Sequence, residues 1–272
     1  MYNVFQIDGN VKKQIELPKV FEEQVNEPVI RRAVLAEATY MLQPQGHYVL
    51  AGMQTTAAYF GAMNSYRTGR HMGIAIRPRE KLGGGVQGKV KRIPSAVKGR
   101  RAHPHMVEKI IIERMNNKEY QKAIASAIAS TKFKLHGSGA QSSPIIVSDE
   151  IENIGKTKQL ANVLEKLGLK SYMEESKKPV LRKGLRRSSR LRHFKKSLLI
   201  VVSKGAKVIN AARNIPGVYV CDVNSLTANA LAPGGKTGMI SVWSESAINS
   251  ITEALKNYSI IDAKERLKAI SK

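Results

Sequence analysis

Leu198-Leu199-Ile200-Val201-Val202, a helix-length link over residues 206–213, and then Val218-Tyr219-Val220-Cys221 decide the fold of this chain. Both apolar runs have the length of a strand and are continuous rather than alternating. Strands of that kind are covered on both faces, and a strand–helix–strand order makes them parallel. The pattern extends on both sides. Ile145-Ile146-Val147 reads as a short buried strand, and residues 156–167 carry Leu160, Val163, Leu164 and Leu167 on one helical face. Residues 239–243 read as a fourth strand, and Ser244 or Glu245 starts a helix through Ile248, Ile251 and Leu255. The expected fold class is α/β: a three-layer α/β/α body with a mainly parallel four-stranded sheet.

Upstream, residues 2–17 read as an N-terminal β-hairpin, with alternating apolar positions around the turn pair Asp8-Gly9. Asn26 is a good helix cap, with Pro28 in the first turn and an apolar stripe through Ile30, Val34, Ala38 and Met41 or Leu42. That helix ends before Pro44. Order resumes near Asn117, which caps a helix through Tyr120, Ile124, Ala127, Ile128 and Thr131.

Between those helices lies a stretch that the α/β pattern does not explain. Residues 64–106 hold 11 Lys or Arg, one acid (Glu80), seven glycines and three prolines, with neither helical nor strand periodicity. So long a loop is uncommon in a compact domain and is usually functional or disordered. Residues 177–196 add ten Lys or Arg and no acid. The two stretches carry +20 of the net charge of +24, leaving 24 basic and 20 acidic residues in the other 209. Basicity this local is the footprint of polyanion binding. The expected organisation is one α/β domain over 1–272, with 64–106 an extended loop inserted in it and 177–196 a basic surface loop. A single cysteine, Cys221, excludes an intramolecular disulfide and fits a reducing compartment. No signal segment and no apolar run of ~20 residues is visible, so a soluble, intracellular protein without membrane contact is expected.

Motifs that mimic enzymes fail on their chemistry. Gly83 to Lys89 fits G-x-x-x-x-G-K, but Val90 stands where a nucleotide-binding loop needs a hydroxyl for magnesium, and Pro94 opposes a helix leaving it. Ala230 to Thr237 ends in Gly-Lys-Thr but lacks the first glycine and precedes a strand. The histidines, His47, His71, His103, His105, His136 and His193, show no metal-ligand spacing with Cys221 or with acids. Asp149, Glu150 and Glu152 follow a strand end without a companion constellation. No catalytic residue, metal or cofactor is expected.

The basic stretches suit RNA. Arg67, Arg70, Arg77, Arg79, Arg92, Arg100 and Arg101 offer planar forks for phosphates, and Lys81, Lys89, Lys91, Lys98 and His103 add to them. Gly83, Gly84, Gly85, Gly88 and Gly99 let backbone approach closely. Ile74, Ile76, Val86, Val90 and Ile93 are interleaved, as in a segment that folds on binding. In the second stretch the candidates are Arg182, Lys183, Arg186, Arg187, Arg190 and Arg192. Only Tyr66 and Phe194 are aromatic within the two stretches, so base stacking is not the main mode; shape and phosphate recognition of folded RNA fits better.

Ala96-Val97-Lys98-Gly99-Arg100-Arg101-Ala102-His103-Pro104, preceded by Arg92-Ile93-Pro94, resembles the signature stretch of large-subunit ribosomal protein four of the archaeal and eukaryotic type. Ser126-Ala127-Ile128-Ala129-Ser130, Ala211-Ala212-Arg213-Asn214 and Leu231-Ala232-Pro233-Gly234-Gly235 carry the likeness along nearly the whole chain. The resemblance implies a structural protein in one copy per ribosome, cytoplasmic, bound to large-subunit rRNA and to neighbouring large-subunit proteins, with no DNA partner. It implies that the long loop threads the rRNA and reaches the nascent-peptide exit tunnel. Its tip would fall within residues 77–88, where Arg77, Arg79, Lys81, Gly83, Gly84, Gly85, Gln87 and Gly88 would line the tunnel. Residues 99–103 would form a returning limb packed on rRNA. The rival reading is an RNA-modifying or RNA-processing α/β enzyme that holds substrate with the basic arm. It requires converging polar groups at the carboxyl ends of the strands, near Asp149, Ser203 or Asp222.

Overall fold

The structure, a computed structural model, describes residues 2–59, 73–134, 142–181 and 192–259. The chain divides into two compact units, one of Met1–Met41 with Ile112–Lys272 and one of Leu42–Ile111. The elements in chain order begin with β1 (Tyr2–Phe5), β2 (Val11–Ile15) and α1 (Glu27–Tyr40), followed in the second unit by β3 (Arg79–Lys81) and β4 (Gln87–Val90). Next come α2 (Asn117–Ala129), β5 (Phe133–Lys134), β6 (Ser142–Ser143), β7 (Ile145–Val147), α3 (Thr157–Lys166) and α4 (Lys170–Lys177). The chain continues through β8 (Pro179–Leu181), β9 (Arg192–Phe194), β10 (Leu198–Val202), α5 (Val208–Ala212) and β11 (Val218–Asp222). It closes with α6 (Ala228–Leu231), β12 (Ile240–Ser244) and α7 (Glu245–Lys256).

The first unit is an α/β body around a six-stranded sheet in the order β11-β10-β12-β7-β1-β2. Every neighbouring pair is parallel except the β1–β2 hairpin. The four strands read from the apolar runs are all present. Six rather than four is the correction, because the N-terminal hairpin joins the sheet: Val4 pairs with Ile146 and Phe5 with Val147. That pairing satisfies backbone groups along β7 that would otherwise form an open edge.

The continuous apolar character of β10 follows from two cores. Leu198, Ile200 and Val202 pack with Leu160, Leu164 and Val208, whereas Leu199 and Val201 pack with Ile30, Ile124, Trp243 and Ile248. Successive strand residues point to opposite faces, so a strand buried on both must be apolar at each position. Helix ends follow local chemistry. Asn26 accepts from the Val29 amide at 3.3 Å, and Ser244 accepts from Ala247 at 3.2 Å. The cap of α2 is Asn116, one residue earlier than the expected Asn117.

The buried face of α1 differs from the expected stripe. Ile30, Ala33, Val34 and Glu37 are buried, while Ala38, Met41 and Leu42 are exposed. Glu37 is fully enclosed, and its carboxylate accepts from the Tyr120 hydroxyl at 2.6 Å, the Ala228 amide at 2.7 Å and the Asn229 amide at 2.9 Å. It therefore caps α6 and ties α1, α2 and α6 together; helix-terminal amides have no intrahelical acceptor of their own.

Cys221 lies within β11, and burial pushes its thiol well up from its ordinary value, with the Asp222 carboxylate adding to the effect. Only the thiolate is reactive. A thiol-specific reagent at neutral pH should leave Cys221 unmodified in the native chain and label it fully in denaturant. Stoichiometric native labelling within minutes, measured by mass, would contradict this placement.

Candidate nucleic-acid interface

The described residues of the unit Leu42–Ile111 have almost no interior. Among its described side chains only Ala57 is buried. Fourteen of its large apolar residues are exposed, including Val49 at 81%, Val97 at 83% and Ile110 at 86%. Apolar burial is the main favourable term in folding, and this unit supplies little of it alone. Backbone pairing holds it instead. Residues β3 and β4 form a hairpin with Arg79 opposite Val90 and Lys81 opposite Gln87, turning through Gly83-Gly84-Gly85 with Gly84 at φ 72°. Arg79 and Ala58 exchange amide–carbonyl bonds of 3.2 Å, adding a third rung. The expectation of no regular structure over 64–106 is thus corrected. The paired segments are three and four residues long and bury no side chain, so no alternating pattern betrays them.

This hairpin disposes of the nucleotide-loop mimic, because Gly88 and Lys89 lie within the returning strand β4, where a nucleotide-binding loop would run into a helix. Gly88 is there for closeness: a Cβ would stand 3.0 Å from the Glu80 Cβ and 3.1 Å from its carbonyl oxygen. In the signature stretch, a Cβ on Gly99 would stand 1.9 Å from the Ile93 carbonyl oxygen. A Cβ on Gly52 would stand 2.5 Å from the Gly99 carbonyl carbon and oxygen. The two backbones cross at these glycines, and the His47 amide donates to the His105 carbonyl at 3.1 Å.

Arg77, Lys89, Lys98, Arg100 and Arg101 are exposed and make no side-chain hydrogen bond or ion pair among the described residues. Lys81, His103, Gly83 and Gly84 are exposed as well, and Gln87 and Gly88 are half-buried. Gly85 completes the turn. Other candidates are engaged internally. Arg79 donates to the Ala75 carbonyl at 3.2 Å, and the Lys91 ammonium lies 3.8 Å from the Glu80 carboxylate. Arg92 donates to the carbonyls of Ala57 at 3.1 Å and Met53 at 3.4 Å. Arg67 and Arg70 lie outside the described residues.

The second basic stretch begins and ends as an antiparallel ladder, with Pro179, Val180 and Leu181 opposite Phe194, His193 and Arg192. Arg182, Lys183, Arg186, Arg187 and Arg190 lie outside the described residues; Arg192 is in β9. The root of this ladder is fixed. The Ser176 and Ser197 hydroxyls are 2.5 Å apart, and a Cβ on Gly217 would stand 2.2 Å from the Ser176 Cβ. Lys195 pairs with Glu175 at 3.0 Å, and the Lys196 ammonium sits 4.2 Å from the Tyr219 ring centre.

At the carboxyl edge of the sheet the acids hold the body together. Asp149 accepts from the Ser246 amide at 2.8 Å, at the start of α7. Glu152 accepts from the Ser203 amide at 2.9 Å and its hydroxyl at 2.5 Å. Burial pushes the Asp222 carboxyl up; Arg213 opposes that shift, Glu152 adds to it and Lys204 opposes it. Among the described residues no cluster of three His, Cys, Asp or Glu could hold a metal ion, and no helix is long and apolar enough to cross a membrane.

Residues 15–254 match the Ribosomal protein L4/L1 family. The chain belongs to that family. It is 39% identical over 258 residues to the large ribosomal subunit protein uL4 of Methanocaldococcus jannaschii, covering 92% of this chain and 97% of the relative. The uL4 proteins of Methanococcus vannielii and Methanococcoides burtonii are each 38% identical, covering 98% and 96% of those relatives. The L4/L1 match spans both compact units. Sequence reasoning missed Gly52, Met53 and Ala57 of this L4/L1 chain, because they precede the charged run. The available signal was Gly52, directly before the small, apolar patch of residues 53–63.

Proposed function

We propose that this chain is held in the large ribosomal subunit chiefly by its coreless basic unit, which folded rRNA completes. The L4/L1 family is one of structural ribosomal proteins without catalytic chemistry, and this chain is a structural constituent of the large subunit. The carrying observation is the combination, among the described residues of Leu42–Ile111, of fourteen exposed large apolar residues with the exposed cations Arg77, Lys89, Lys98, Arg100 and Arg101, which have no internal partner. RNA phosphates neutralise Arg77, Lys89, Lys98, Arg100 and Arg101, and rRNA surface covers Val97 and its neighbours. The β3–β4 hairpin, with Arg77, Arg79, Lys81 and the glycines Gly83, Gly84, Gly85 and Gly88 around Gln87, lines the exit tunnel. The body docks through the basic patch from Arg182 to Lys196. The two separate cores of the body support a three-layer α/β/α arrangement. The partners are large-subunit rRNA and adjacent ribosomal proteins, one copy per ribosome in the cytoplasm, with no DNA or membrane.

Each neutralised phosphate contributes roughly 0.7 to 0.9 to the log–log slope of binding against salt. Five such contacts give a slope of about 3.5 to 4.5 in magnitude. Binding of the full chain to large-subunit rRNA, titrated from low to moderate salt, should show at least that dependence. A binding constant that does not change with salt would overturn the phosphate mechanism.

A further inference from the structure

Arg92 combines two features that the other described basic residues of its unit do not combine. Its backbone is left-handed at φ 68°, as is that of Lys98 at φ 58°, a conformation that non-glycine residues keep only when their surroundings impose it. Its guanidinium also reaches back to two carbonyls of its own chain, those of Met53 and Ala57. A planar fork can bridge two such acceptors, whereas a point-like ammonium cannot reproduce the geometry.

The bonds around Arg92 form a closed set. Ala57, whose carbonyl it holds, is the buried residue of the unit, and the next residue, Ala58, pairs with Arg79 in both directions. The Lys91 amide donates to the Pro78 carbonyl at 3.1 Å, which brings the end of β4 back to the start of β3. Two successive turns follow, from Ala96 to the Ile93 carbonyl at 3.2 Å and from Gly99 to the Ala96 carbonyl at 3.0 Å. Gly99 then meets Gly52, one residue before Met53. Residues 52–58, 78–79 and 90–99 thus close on one another through backbone groups and one guanidinium.

We propose that these residues form a clasp that closes without RNA, and that Arg92 is its positioning residue rather than a phosphate ligand. The clasp sets the direction in which the β3–β4 hairpin leaves its root. An arginine with its Nε and one Nη committed to its own backbone has fewer donors to offer a phosphate. Closure of the clasp stands apart from the rRNA reading, and only the RNA measurements below rest on it.

The test uses the full chain with three variants. R92K keeps the charge and removes the fork; R92Q removes both; R92G relieves the left-handed backbone but has no side chain. In RNA-free protein, amide hydrogen exchange at Ala58, Arg79, Ala96 and Gly99 should be slowed at least tenfold relative to unstructured peptide. All three variants should lose that protection while the melting transition of the body stays in place. Unprotected wild-type amides, or protection regained in R92G, would overturn the clasp. With large-subunit rRNA, R92K and R92Q should weaken binding alike and leave the salt slope at the wild-type value. A photo-crosslinker at Val86 should mark different nucleotides in R92K. R92K matching wild type while R92Q alone loses roughly 0.7 to 0.9 of slope would make Arg92 a phosphate ligand instead. An unchanged crosslink would overturn its positioning role.

Discussion

Replacing Glu37 by alanine should lower the unfolding free energy of the body by at least about 3 kcal/mol. The carboxylate accepts from Tyr120, Ala228 and Asn229 in an enclosed site, so its removal leaves a hydroxyl and two amides with an acceptor missing. Each buried donor left unsatisfied costs about 1–3 kcal/mol. A typical domain has only about 5–15 kcal/mol of stability, so this change takes a large share of it. Glu37→Gln keeps an acceptor oxygen and the volume, and should cost less than half as much. Chemical unfolding of both variants, followed by Trp243 fluorescence, checks the order. Trp243 is a suitable reporter because it is buried in the same core as Tyr120 and Ile30. A Glu37→Ala midpoint equal to that of wild type would show that α6 does not depend on this cap.

Gly99→Ala should abolish the local structure of the second unit while leaving the body folded. The added carbon would lie 1.9 Å from one backbone oxygen and 3.1 Å from another, the Ala96 carbonyl. Neither is the end of a flexible side chain, so the backbone itself must move. Overpacking in a well-formed core costs about 1–3 kcal/mol, which a core can partly absorb. The described residues of this unit form no core to do so. Affinity for large-subunit rRNA should fall at least tenfold, or about 1.4 kcal/mol, with no change in the Trp243 unfolding transition. Wild-type affinity in Gly99→Ala would show that the crossing at Gly52 is dispensable for RNA binding.

The parts of this fold that sequence reveals are those whose physics is local. Leu198–Val202 is apolar at each position because each faces a core, and that pattern needs no knowledge of the partner. β1 is different. Its place in the sheet depends on β7, far along the chain, and the Val11–Ile15 strand beside it is mostly exposed and polar. Nothing local distinguishes a free hairpin from one that extends a sheet. Glu37 was visible in principle, since it falls on the same helical face as Ile30 and Val34. A stripe drawn through apolar residues alone passes over it to Ala38, which is exposed.

The interface divides along the same line. Composition marks Arg77, Lys98, Arg100 and Arg101 as basic residues needing a partner, and their exposure agrees with that reading. Composition could not separate them from Arg92, Lys91 and Lys196, which have the same charge but are held by Ala57, Glu80 and Tyr219. That distinction arises from tertiary neighbours. Glycine had the same ambiguity. Gly84 serves a turn and has open space around it, whereas Gly99 serves a backbone crossing, and the letters are identical.

In chain order the second unit lies between α1 and α2, two helices that pack against each other in the larger core. Bringing those helices together means closing the intervening segment as a loop. The entropy of that closure grows only logarithmically, by about 0.6 kcal/mol for each doubling of length. Seen this way, the body is nearly indifferent to how much chain hangs between Tyr40 and Asn117. A longer or shorter insert would leave the sheet and its two cores in place, since only the closure entropy changes with its length.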